Sequence, residues 1–472
     1  MKSSTGLFRK KSIQSFVQDA QTKSKLQRNL TAWDLALLGI GAIIGTGIFV
    51  LTGTGALQAG PALTISFLLA GLACAFAALC YAEFASLVPA SGSVYTYSYA
   101  TLGELIAWVI GWDLVLEYLF AVSSVAVGWS GYFQNLLSGF GLHFPKALTA
   151  AYDPDQGTLF NLPAVLIVLF ITFLLATGIQ ASKKLNNIMV LVKVGVVLLF
   201  ILVGVFYVQP SNWVPYAPFG FGGISLAAAT VFFAYIGFDA VASAAEETKN
   251  PQRDLPRGIL WSLGICTLLY VVVSAIMTGA VPYGQFKGIA HPASFVMDQV
   301  GQNWVAGFID VGAILGLTTV ILVMLYGQTR IFYAMSRDGL LPKFFSDVDE
   351  KHSTPYKATW LVGTIAALIG GVFKLDTLAE MVNIGTLFAF MLVCIGVLVL
   401  RKTEPDLPRK FKTPFVPFVP ALGILFCGYL ILQLQLITWI AFGIWFVIGL
   451  VVYFGYSRKH SLIGQDSMKK KN

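Results

Sequence analysis

Apolar residues run in long stretches along this chain, separated by short charged or Pro-rich breaks. The stretches lie near 33–58, 62–88, 101–138, 160–181, 185–208 and 222–247. Six more lie near 256–281, 303–335, 357–373, 377–400, 415–435 and 437–457. Most reach the roughly 20 residues needed to cross a ~30 Å hydrocarbon core. The pattern predicts an all-α polytopic membrane protein with 12 transmembrane helices. The two longest stretches, the third and eighth, correspond if the chain is split into spans 1–5 and 6–10, and so do spans 1 and 6. Five is an odd number, so the second half starts from the opposite side and the halves form a 5+5 inverted repeat with two extra C-terminal helices. The expected organisation is an arm over 1–30, a first repeat over 31–208, a second over 209–400, a helix pair over 401–457 and a tail over 458–472.

Composition agrees with a bilayer. The 472 residues are 57% hydrophobic and only 11% charged, with a mean hydropathy of +0.76, whereas a soluble domain carries roughly 25% charged residues. A net charge of +8 is better explained by the positive-inside rule than by nucleic acid. Among 31 Lys and Arg residues, Lys146, Lys287 and Lys374 alone fall in loops on one side, and Lys193 lies within a span; the rest cluster on the other side. This asymmetry predicts that both termini are cytoplasmic in a multi-pass protein of the cytoplasmic membrane. The first 30 residues are basic and lack the apolar core of a secretory leader. They are read as an arm, whether interfacial helix or disordered tail. Cys74, Cys80, Cys266, Cys394 and Cys427 all sit inside apolar runs, so neither a disulfide framework nor a zinc site is expected.

The chemistry lies where helices should fail. Gly39, Gly41, Gly45 and Gly47 occupy the middle of the first span. An unwound stretch in hydrocarbon leaves costly unpaired backbone groups and persists only if it lines a cavity or binds something. If Gly45, Thr46 and Gly47 unwind, the amides of the next half-helix suit a carboxylate. The carbonyls ending the first half-helix, around Ile43 and Ile44, suit an ammonium. Together they would receive an α-amino acid zwitterion. Gly41 and Gly45 also form a small-xxx-small pair, which close packing explains equally well. The sixth span places Gly237 and then Asp239 at mid-membrane in the run from Phe232. Breaks in corresponding spans point to a transporter site. Asp239 is expected to face the bundle interior, as a functional acid or as a buried protonated one bonded to a carbonyl.

Lys193 is too far from either end of the fifth span to reach water. Taken out of water, an amine exchanges its proton more readily, and one that cycles between charged and neutral forms can replace a bound sodium ion. A fixed ion pair with Asp239 or Glu117 is the alternative. Asp113 and Glu117 lie on one face of the third span. Glu117, the deeper, suits proton transfer or a cationic cargo; Asp113 is expected at the rim. Thr318 and Thr319 could supply oxygens to a cation, although such hydroxyls usually bond their own helix. Val323 and Met324 are expected to help close the pocket wall.

These residues resemble the amino acid, polyamine and organocation superfamily, and within it the cationic amino acid transporter family. The resemblance rests on Gly39 to Phe49, on Tyr81-Ala-Glu-Phe with Pro89-Ala-Ser-Gly-Ser-Val-Tyr95, and on Phe232 to Asp239 through Glu246-Glu-Thr-Lys-Asn-Pro-Gln-Arg253 to Ile259. It implies the leucine-transporter fold with substrate between broken helices 1 and 6, and a bacterial proton-coupled member, since animal members have more spans. It implies carboxylate contacts at Gly45, Thr46 and Gly47, and ammonium contacts at the carbonyls of Ile43, Phe233, Ala234 and Ile236. Lys193 matches the lysine at the sodium position of proton-coupled members, with Glu117 and Asp239 as the acids tied to coupling. Glu246 and Glu247 fall where cytoplasmic gate ion pairs occur, or simply at a solvated helix end.

The expected activity is import of an L-amino acid with protons by alternating access, with an amino acid or polyamine exchanger as the rival. Small neutral cargo such as alanine is favoured over cationic. Protons are the only coupling species expected, with no cofactor and no metal. The amino acid and the bilayer are the expected partners, with no obligate protein partner and a small membrane subunit left open. An enzyme is disfavoured because His143, His291, His352 and His460 all fall in loops or the tail. A channel is disfavoured because no ring of charges repeats.

Overall fold

Glycines in the first apolar run and at Gly237 interrupt two helices that would otherwise cross in one piece, and the rest of the fold packs around those interruptions. The computed structural model describes residues 7–10, 29–87, 93–178, 183–244, 247–349 and 354–462. Most of the basic arm, residues 88–92, Glu246, His352 and the tail from 463 lie outside the described residues.

The described residues are helical, with isolated bridges and no strand. The first run is divided into α1 (Ala32–Ile43) and α2 (Thr52–Ala59), with a π-helical turn at Gly47–Leu51 between them; α3 (Leu63–Leu87) follows. A short α4 (Ser93–Thr101) leads into the long α5 (Glu104–Gly139), then α6 (Leu162–Ala176) and α7 (Lys183–Gly204). The sixth run is likewise divided, into α8 (Gly220–Val231) and the short α9 (Ala240–Ser243). There follow α10 (Pro251–Ala280), the short α11 (Pro292–Gln299), α12 (Asn303–Arg337), α13 (Tyr356–Val372) and α14 (Leu375–Thr403). Two last helices, α15 (Phe418–Leu432) and α16 (Leu436–Val452), close the described chain. Seven helical stretches of the described residues are long and apolar enough to cross a membrane, with five shorter apolar helices beside them.

The surface is the reverse of a soluble protein's. Leu166, Phe170 and Phe173 on α6, and Ile440, Ile444, Val447 and Val451 on α16, are exposed at helical spacing, so the apolar stripe points outward. Such stripes belong against lipid. Polar side chains are instead held inside, among them Asp113, Glu117, Lys193 and Gln328. The long helices pack in pairs: α3 on α10, α5 on α12 and α6 on α13. All five cysteines are free and buried.

Candidate functional site

The first break is built by local chemistry. Thr31 caps α1, accepting from the Asp34 N–H while the Asp34 carboxylate accepts from the Thr31 N–H at 2.9 Å. The helix stops at Ile43, and Ile44 turns to extended backbone. The Phe49 N–H then donates to the Gly45 carbonyl at 3.2 Å as the chain coils again. Amides at the start of a helix have no partner within it, and here they belong to Gly45, Thr46 and Gly47, which line a cavity.

The second break tightens α8 into a 3₁₀ turn at Phe232–Tyr235, opens at Ile236 and passes Gly237 at φ 122°, a conformation suited to glycine. The two breaks touch backbone to backbone. A Cβ on Gly47 would stand 2.1 Å from the Ala234 Cα, and one on Gly237 would stand 2.9 Å from the Ala42 carbonyl carbon. Gly41 is also a packing position, filled by Val190. Gly45 is not: its nearest neighbour, Val320, would be 3.4 Å away. Both readings of the glycines therefore hold, at different positions.

Tyr270 on α10 fastens the two interruptions. Its hydroxyl lies 3.0 Å from the Ile43 carbonyl and 2.9 Å from the Ala234 carbonyl, within donating distance of both. The sequence carries no signal for this residue beyond its place in an apolar run. The cavity beside it is small, about 20 Å³, room for little more than a water. Ile43, Gly45, Thr46, Gly47, Phe233 and Ile236 line it, as expected. Ala234 and Glu117 are not in its wall. The rest of the wall is apolar: Ala42, Ala121 and Val125, with Val320 and Met324 from α12. Val320 takes the place expected of Val323, because residues four apart share a helix face with Met324 and adjacent ones do not. The Thr46 hydroxyl is buried without a partner, so it remains available to a ligand.

The ionisable groups sit behind the cavity. Lys193 is 1% exposed. Its stem packs on Gly316 and its ammonium donates to the Gly41 carbonyl at 2.7 Å. It thus holds the first break directly, in place of an ion pair with Asp239 or Glu117. Glu117 is buried on α5, outside the cavity wall. Asp239, also buried, follows the second break immediately. Asp113 is not at the rim. It is fully buried, because Gly385 on α14 leaves room for its carboxyl, and neither of its oxygens has a partner. Thr318 and Thr319 donate to the carbonyls of Ile314 and Gly316 on their own helix, both at 2.7 Å.

Polar contacts lie beyond the first break. Tyr132 donates to the Phe49 carbonyl, Trp129 donates to Thr318 at 2.9 Å, and Asn135 donates to Asp310 at 2.8 Å, tying α5 to the first broken helix and to α12.

Two broken helices thus meet at a small cavity inside an apolar helical chain. The amino acid permease family matches residues 30–453. The chain belongs to that family. Similar proteins include the branched-chain amino acid permease BcaP of Bacillus subtilis, 64% identical over 461 residues that cover 97% of this chain and 99% of the relative. The methylthioribose transporter of the same organism is 55% identical over 98% of this chain and 100% of its own length. The vacuolar cationic amino acid transporter 4 of Arabidopsis thaliana is 42% identical over 81% of this chain and 64% of its own length. This permease is an integral membrane transporter and not an enzyme.

Proposed function

We propose that this permease imports neutral aliphatic amino acids across the cytoplasmic membrane by proton symport, with branched-chain amino acids preferred and alanine accepted. The observation that carries the reading is a cavity whose only polar surface is the broken backbone and the free Thr46 hydroxyl, and whose side-chain wall is apolar. The amides of Gly45, Thr46 and Gly47 receive the carboxylate. The carbonyls of Ile43, Phe233 and Ile236, all residues of the cavity wall, are assigned to the ammonium. Ala121, Val125, Val320 and Met324 surround the side chain. The branched-chain name of a relative 64% identical agrees with such a wall. Cationic cargo is disfavoured because no acidic side chain lines the cavity among the described residues. Lys193, attached to the Gly41 carbonyl, is assigned the role of a coupling ion, with Glu117 and Asp239 carrying protons to and from it.

Twelve spans, a 5+5 inverted repeat with the bounds given above, and cytoplasmic termini complete the proposal. The packing of each central helix on its counterpart supports the repeat, since elements near a pseudo-two-fold axis meet their own mates. So does the Lys374 contact to Asp153 at 2.8 Å, which brings two loops assigned to the outer side together. A thermal-shift screen of the purified protein against the twenty amino acids and methylthioribose tests the cargo. Stabilisation by leucine, isoleucine and valine is expected; stabilisation by arginine and lysine alone, or by methylthioribose alone, rejects it. Uptake into proteoliposomes with and without an inward proton gradient tests the coupling. Counterflow of labelled substrate together with gradient-independent accumulation would identify an exchanger.

A further inference from the structure

Asp113 is a fully buried carboxyl near the site with neither oxygen in a hydrogen bond among the described residues. It stands one helical turn before Glu117 on α5, on the same face. Its Oδ1 would lie 3.0 Å from a Cβ on Gly385, which is why the carboxyl fits against α14 at all. The groups around it are few. From α14 comes Gly385, while the adjacent Thr386 hydroxyl donates to the Val382 carbonyl of its own helix at 3.0 Å. From the second break comes Asp239, whose charge acts on Glu117, Tyr118 and Tyr97. From α12 comes Gln328, which is neutral and donates to the Val115 carbonyl at 3.2 Å. From α16 comes Trp445, which donates to the Trp112 carbonyl at 3.0 Å. Glu117 is the one charged group acting directly on Asp113.

A carboxyl that accepts nothing contributes no contact to folding, and its burial as an anion is costly. Two carboxyls one helical turn apart, Glu117 and Asp113, are not readily ionised together in an apolar interior. An intramembrane acid that weakens the fold in this way marks a proton pathway.

We infer that Asp113 holds the imported proton after Glu117 and releases it towards the cytoplasm. The inference rests on the proton-symport reading above. Helix α5 starts at Glu104 on the side assigned to the cytoplasm, so Asp113 lies between Glu117 and that side. The two carboxyls are not hydrogen-bonded, so a water that enters between them relays the proton: the Glu117 O–H bond breaks as one forms on the water, and another O–H bond of that water breaks as one forms on Asp113, leaving Glu117 as carboxylate. Asp113 then gives the proton to water admitted when α14 moves away, and becomes a carboxylate itself. Gly385 is the contact that separates.

The test uses purified full-length protein and proteoliposomes. Asp113→Asn keeps the shape of the neutral acid, so substrate-induced thermal stabilisation is expected to survive. Gradient-driven accumulation is expected to fall at least tenfold and its pH profile to flatten; Asp113→Glu is expected to restore accumulation with a displaced profile. Wild-type accumulation and pH profile in Asp113→Asn would reduce Asp113 to packing and overturn the inference. Infrared difference spectra read the same point without transport: Asp113→Asn should remove a protonated-carboxyl band from the neutral-pH spectrum, and an unchanged spectrum would overturn the inference. Gradient-independent accumulation by the wild type is a separate outcome, which rejects proton symport itself.

Discussion

A single hydroxyl, that of Tyr270, serves carbonyls from both interruptions. Tyr270→Phe takes a donor from two buried carbonyls and leaves the ring, which also meets Tyr235 and Phe67, in place. The expected loss is about 1–3 kcal/mol of stability, with a several-fold rise in the substrate concentration for half-maximal uptake as the two ends lose their mutual orientation. Thermal unfolding and initial-rate uptake check both parts; an unchanged KM would confine Tyr270 to structure. Lys193 offers a sharper contrast. Lys193→Ala removes the donor to Gly41 and the stem against Gly316. Gradient-driven accumulation should disappear, and normal accumulation in this variant would exclude Lys193 from coupling. The buried lysine was legible because an ionisable residue in a long apolar run stands out by type. Tyr270 was not, because a tyrosine in such a run is ordinary until its partners, 227 and 36 residues away, are known. Asp113 was misjudged for a related reason: sequence gives its place along the helix axis, but its burial depends on a glycine in another helix.

The two broken helices behave as different kinds of element at different glycines. Gly47→Ala drives a methyl group to within 2.1 Å of the Ala234 Cα, contact that neither backbone can yield without separating the breaks. Gly45→Ala places its methyl 3.4 Å from Val320, ordinary contact, but inside the cavity. Gly47→Ala should therefore abolish transport and lower thermal stability, whereas Gly45→Ala should keep stability and weaken uptake of leucine more than of alanine. Equal losses of stability in the two variants would contradict this division. The existence of both breaks was legible from glycine density in hydrocarbon, since poor helix formers there need a reason. Which glycine packs and which lines the cavity was not, because that depends on what crosses each one.

Across the whole molecule, ion pairs anchor the side assigned to the cytoplasm. Glu83 on α3 is 1% exposed and receives Arg401 Nε and Nη2 at 2.9 and 2.8 Å. Arg409 Nε stands at 3.2 Å, and the Thr413 amide donates at 2.7 Å. One carboxylate thus fastens the end of α14 and the segment after it to α3. Glu83→Gln leaves two guanidinium groups facing a neutral amide, and breaking a buried pair costs about 3–5 kcal/mol. Faster proteolysis between Glu404 and Thr413 is the expected readout; wild-type resistance would show that the anchor is elsewhere. Sequence marked Glu83 only as part of a motif, since its partners lie 318 and more residues away. The outer pair is of another kind. The exposed Lys374 amine holds the half-buried Asp153 carboxyl below its usual range, and Asp153 in turn holds the Lys374 amine above its own. What this pair adds is therefore present between the two titrations and is lost as pH falls through the folded Asp153 value or rises through that of Lys374. Exposed to solvent, it should matter little and fade with salt. The division of labour inside the cavity has a further consequence for anyone wishing to redirect this permease. The groups assigned to the shared end of every amino acid are main-chain atoms that no codon change removes, while Ala121, Val125, Val320 and Met324 are replaceable one by one. A library confined to those four positions should yield carriers with new cargo preferences at a high rate, and one confined to Gly47 and Gly237 should yield almost none.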